Sequence, residues 1–155
     1  MPMKDLLTEV SRLHFPRPPA TAEQVAAFEK RVGWRLDEDL RAFYLHCNGA
    51  TLFAPLPDVN YHLLPLERIE RARVAILGRD EDSAGAATHY CVVDMQDGDY
   101  VFVDVAQEAN GRLPLFDAWH ETYPQVKRIA SSFEEFLEKA LRSGNRSFWL
   151  SGSPP

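Results

Sequence analysis

The strongest local constraint on this chain is the dipeptide Asp97-Gly98, set between two runs that are apolar at alternate positions, 88–94 and 99–105. Asp-Gly is a strong two-residue hairpin turn, because both central positions of such a turn need positive φ. A tight turn here pairs Met95 with Tyr100, Val93 with Phe102 and Cys91 with Asp104. It leaves Tyr90, Val92, Val101, Val103 and Val105 on the other face. Both faces are then substantially apolar, so the hairpin belongs inside a sheet with helices covering at least one side. The same register puts Asp94 and Asp104 on opposite faces, which separates them as a catalytic pair.

Helical patterns flank this hairpin. Residues 4–13 place Leu6, Leu7, Val10 and Leu13 on one face, and Pro16, Pro18 and Pro19 then stop the helix. Thr21 and Gln24 have capping-box spacing ahead of Val25, Phe28 and Val32, and Gly33 closes that helix. Asp37 caps a third helix whose apolar stripe is Leu40, Phe43, Tyr44 and Cys47, with Asn48-Gly49 predicted as a left-handed ending. Residues 64–76 read as a helix, or a helix and then a strand, with Glu67 and Arg71 four apart. Residues 78–87 read as an exposed loop, and 113–119 as a further strand. Ser131 with Glu134, or Ser132 with Glu135, caps a last helix with Phe133, Phe136, Leu137, Ala140 and Leu141 on one face. Strands in the middle and helices at both ends predict an α+β domain, its helices packed on a mainly antiparallel sheet.

The order of these motifs is informative. A capped helix, a Gly, the aromatic link Trp34, an acidic cap, the Leu40-Arg41-Ala42-Phe43 core and a terminal Asn48-Gly49 resemble the SUKH superfamily, and within it the Smi/Knr-like branch. The closing segment from Ser132 to Leu137 resembles the last helix of that family, and the likeness spans 20–141. Family members usually carry Leu-Pro where this chain has Leu36-Asp37. The resemblance divides a single domain into an N-terminal helix and Pro-rich linker (1–19), a core (20–141) and a tail (142–155). It implies a non-catalytic protein. Bacterial members of this kind are immunity proteins that bind and neutralise a toxin, often a nuclease, and the alternative is an intracellular adaptor or regulatory module.

The residues themselves exclude several chemistries. The chain has no Walker loop, no dinucleotide-binding glycine pattern and no Gly-x-Ser-x-Gly elbow, so no cofactor is expected. His120-Glu121 begins like a zincin helix, but Pro124 stands where the second His belongs. His46, Cys47, His89 and Cys91 are metal-type residues, yet adjacent helical residues diverge by about 100° and cannot converge on one ion. Asp94, Asp97 and Asp99 lack the spacing of a calcium loop. No apolar run approaches the roughly 20 residues of a membrane span, and 1–10 lacks the pattern of a signal peptide, so a cytoplasmic location is expected. Both cysteines then read as small buried hydrophobes.

Charge supplies the candidate site. The net charge is −6, which disfavours nucleic acid as a partner and suits a basic protein. Between 80 and 121 there are ten acids and one base, Arg112, a net of −9, which leaves the rest of the chain at +3. Asp80, Glu81, Asp82, Asp97, Asp99 and Glu108 are the candidate partner-binding residues, expected on one exposed rim that attracts a basic toxin. Trp149, in a polar tail, is a further candidate contact.

Overall fold

A computed structural model describes residues 1–54 and 60–150. Pro55 and Pro57, expected in an irregular stretch, lie outside the described residues, as does the tail beyond 150.

The first three helices form where the sequence patterns predict them. α1 is Met3–Leu13, α2 is Ala22–Val32 and α3 is Glu38–His46. Thr21 Oγ1 accepts from the Gln24 N–H at 3.0 Å, and Gln24 Oε1 accepts from the Thr21 N–H at 2.8 Å. Asp37 accepts from the Leu40 N–H at 2.9 Å, and its second oxygen accepts from the Leu113 N–H at 2.8 Å. One carboxylate therefore starts α3 and ties it to the segment just before the strand that begins at Leu115. Leu6, Leu7 and Val10 are buried, so α1 is part of the core rather than an appendage, whereas Leu13 at its fraying end is exposed.

The end of α3 differs from expectation. The helix stops at His46 because Cys47 is already extended, with φ −154°. Gly49 is needed one step later, at φ +94°, where a Cβ would lie 2.7 Å from the Leu63 carbonyl oxygen. Its role is close approach to a neighbouring strand, not helix capping.

The described strands are β1 (Phe15–Pro16), β2 (Ala50–Leu52), β3 (Tyr61–Leu63), β4 (Glu70–Arg71), β5 (His89–Asp94), β6 (Asp99–Asp104), β7 (Leu115–Trp119) and β8 (Lys127–Ala130). They form one antiparallel sheet in the order β1-β2-β3-β5-β6-β7-β8, with β4 also paired to β5. The segment 64–76 becomes a 3₁₀ turn (Leu66–Arg68), then β4, then helix α4 (Ala72–Leu77). Glu67 and Arg71 make no helical pair. Glu67 meets Asn48 and Arg17, and Arg71 reaches Asp80. The short edge strand β8 has four residues, too few to show an alternating pattern in the sequence.

The hairpin forms, but its register is corrected. Asp94 faces Tyr100 and Val93 faces Val101, leaving a turn in which both Gln96 and Gly98 have positive φ. Farther along, Cys91 faces Phe102 and His89 faces Asp104, so Val92 is an extra residue, a β-bulge. The bulge brings Val93 and Met95 to the same face as Tyr90, Val101 and Val103, and leaves Cys91 and Phe102 on the other. By the same shift Asp94 and Asp104 share a face, at opposite ends of the strand pair.

Two cores result. The larger lies between the sheet and α1, α2, α3 and α5 (Phe133–Leu141), with Phe28, Leu40, Phe43, Phe133 and Phe136 buried in it. Ser132 caps α5, accepting from the Glu135 N–H at 3.1 Å. Trp149, in a 3₁₀ turn at Phe148–Leu150, packs into this core against Tyr61 and Phe136 and is not an exposed contact. The smaller core, on the opposite face, is Ala72, Cys91, Phe102, Phe116, Ala118 and Tyr123.

Candidate functional site

β5 shares one edge between two strands, and this creates a concavity. β3 pairs with its C-terminal half, and the Leu64 N–H still bonds the Val92 carbonyl at 2.9 Å. Pro65 and the 3₁₀ turn then lift the chain away before it returns as β4 opposite Tyr90 and Cys91. Asn48 holds the excursion by accepting from the Leu66 N–H at 2.9 Å. Arg31, in the last turn of α2, crosses to it and donates to the carbonyls of Leu66 (2.9 Å) and Ile69 (3.2 Å).

The space between is a cleft of about 390 Å³, with Arg68, Glu70, Asp94 and Tyr100 on its walls. It continues past Arg31 into two shallower hollows, one toward Gln24 and Asn48, the other toward Arg71 and Asp80. Neither Glu70 nor Asp94 belongs to an ion pair among the described residues. Burial, reinforced by Asp94, Cys91 and Glu70, raises the Tyr100 phenol above its ordinary value, while Arg68 opposes the rise. The two carboxylates and the un-ionised phenol share the cleft with two guanidinium groups, those of Arg31 and Arg68.

The predicted acidic residues do not form one rim. Asp80 and Asp82 clamp a buried guanidinium: Arg73 Nε lies 2.8 Å from Asp80, and Arg73 Nη1 lies 2.7 Å from Asp82 and 3.1 Å from the Gly85 carbonyl. The Arg73 side chain is 7% exposed and that of Asp82 is 96% exposed. Hydrogen bonding to Arg73 holds the Asp80 carboxyl below its usual range. Much of the loop's charge is therefore matched by bases, Arg71 and Arg73, from outside the acidic segment. Glu81 is exposed and lies 3.7 Å from Arg79. Asp97 is exposed at the hairpin turn, at the opposite end of β5 from the 80–82 loop, and Glu108 is exposed beyond the far end of β6. Asp99 is only 3% exposed and lies beside Asp117, so it is no surface charge. Its place beside the hairpin tip does not expose it, because its side chain turns to the face of Val101 and the larger core.

One polar cluster was missed. His89 stacks on Phe102 with ring centroids 4.2 Å apart, its Nδ1 lies 2.8 Å from the Tyr123 hydroxyl, and its Nε2 lies 3.4 Å from Asp104. The corrected register is the signal that pairs His89 with Asp104. The geometry is that of a closed tie. The His89 and Asp104 side chains are 12% and 7% exposed, and burial pushes the Tyr123 phenol up to about 12. That hydroxyl is a poor nucleophile and is out of reach of a substrate. The metal-type residues are dispersed: His46 bonds Ser11 at 2.6 Å, and Cys47 and Cys91 are buried thiols in different cores. No group of three or more His, Cys, Asp or Glu placed to hold a metal occurs among the described residues. No described helix is long and apolar enough to cross a membrane.

The family model of SMI1 / KNR4 (SUKH-1) matches residues 19–139. No curated protein matches the chain.

Proposed function

This chain belongs to the SMI1 / KNR4 family (SUKH-1), and from that membership we propose that it is a non-catalytic immunity protein that neutralises a cognate toxin by direct binding. The observation that carries the reading is the family match over 19–139. The partner is a basic protein, its contact surface the cleft beside β4. Glu70 and Asp94 receive a Lys or Arg side chain there, and the exposed Glu81, next to Asp80 in the adjoining hollow, adds negative charge. Complementary charge speeds encounter, and the walls of the cleft slow release.

The first test is a pull-down against the product of the neighbouring gene, followed by toxin co-expression. Stoichiometric binding and rescue of growth are expected. A partner that belongs to the cell's own regulatory machinery would instead favour the adaptor reading. The contact surface is tested with Glu70→Lys combined with Glu81→Lys, neither of which supports a buried group. Association should slow by about tenfold at low salt, with a smaller difference at high salt. Full-speed association by a folded double variant would remove the cleft as the contact surface. Reversing Asp80 and Asp82 is a poor test, because it strips Arg73 of its partners and confounds binding with folding.

A further inference from the structure

β6 and β7 carry an unusual pair. In their register Asp99 faces Trp119 and Val101 faces Asp117. Asp99 and Asp117 are thus diagonal neighbours on one face, the face that Val101 and Leu115 turn toward the larger core. Asp99 is 97% buried, and each of the two carboxyl groups has a buried Oδ1 with no hydrogen-bond donor. Two ionised carboxylates in contact cannot persist in such a place. A single proton answers both orphan oxygens, because a neutral carboxyl donates and an ionised one accepts.

We propose that Asp99 and Asp117 share one proton at neutral pH, and that this proton is a pH-sensitive latch fastening β6 to β7 at the turn end of the hairpin. Among the described residues neither carboxyl belongs to an ion pair, and neither Oδ1 has a hydrogen-bond partner. Lys127 on β8 faces Asp117 in register, but its ammonium donates to the Trp149 carbonyl at 3.0 Å. From the turn, Asp97 adds negative charge. His120 sits over Gly98, with Nδ1 3.1 Å from the Gly98 carbonyl. On β5 the neighbour is apolar Met95, whose N–H bonds the Asp99 carbonyl at 3.0 Å. Burial first, then the contact with Asp117, pushes the Asp99 carboxyl up to about 9, against an opposing backbone hydrogen bond from Tyr100.

The linkage has a definite sign. The folded pair keeps a proton that the unfolded chain releases near pH 4, so this contribution is fully present below that value. It is lost progressively as pH rises toward 9. Asp99→Asn and Asp117→Asn replace the shared proton with an amide donor of the same shape. Between pH 5 and 8 the unfolding equilibrium constant of the native protein should rise up to tenfold per pH unit relative to either variant. Carbon-13 titration of the aspartate carboxyls in the native protein should show one group titrating well above the usual carboxylate range, and it serves even if a variant fails to fold. Both carboxyls titrating below pH 5, or the same pH slope in native protein and folded variants, would overturn the proposal.

Discussion

The two faces of the sheet are covered in different ways. On one face α1, α2, α3 and α5 contribute an almost continuous apolar layer, with helix caps at Thr21, Asp37 and Ser132 and long-range ties such as the Tyr44 hydroxyl to the Leu64 carbonyl. On the other face the cover is the six-residue α4, the 78–88 loop and the turn before β8, over a small aromatic cluster. Here specific polar ties hold the cover down: Arg73 to Asp80, Asp82 and the Gly85 carbonyl, Arg71 to the Ala87 carbonyl, and His89 to Tyr123 and Asp104. The first face is stabilised mainly by area removed from water. The second depends on a few directed bonds, and losing one donor leaves its partner stranded.

That contrast can be broken at its strongest point with Phe43→Ala. Phe43 is fully buried against Tyr44 and Phe133. The cavity should cost about 3–5 kcal/mol in denaturant unfolding, and the loss should be global. A loss below about 1 kcal/mol would mean that this face is not the main core.

Tyr123→Phe probes the other face. It keeps the ring against Phe102 and removes only the hydroxyl that meets His89. A cost of about 1–2 kcal/mol is expected, with faster amide exchange concentrated at 85–89. Uniformly faster exchange across α1 and α5 would show that the two faces do not differ as described.

The smallest effect is a pH dependence. Burial lowers the His89 pKa despite the pull of Asp104. At this site the folded protein therefore binds less proton than the unfolded chain. Opposite in sign to the contribution of Asp99 and Asp117, the His89 contribution to stability is lost as pH drops below about 6.5, the ordinary imidazole value. His14, lowered by burial beside Phe53, acts in the same direction from the helical side. His89→Gln should flatten part of this acid limb and leave the remainder that belongs to His14. An unchanged limb would place the acid sensitivity elsewhere.

Much of the helical side was legible because its signals are local. A cap such as Thr21 or Ser132 acts within four residues, and an apolar stripe such as that of α5 repeats within one helix. The candidate site was far less legible. Counting charges along 80–121 located the acids but not their partners, since Arg71 and Arg73 precede the segment and reach it only after folding. Asp99 illustrates the same limit: alternation gives the face of a residue, not whether that face is wet.

What the amino-acid order determined alone is therefore the set of elements, most caps, the apolar face of each long helix and the family likeness. These follow from periodicity and near-neighbour hydrogen bonding. The tertiary structure alone decided the Val92 bulge, the pairing of His89 with Asp104, the burial of Asp99 beside Asp117 and the cleft between Arg31 and β4. Each of these depends on which strand edges meet. A one-residue shift in that meeting, invisible to local pattern, turns side chains from one face of the sheet to the other.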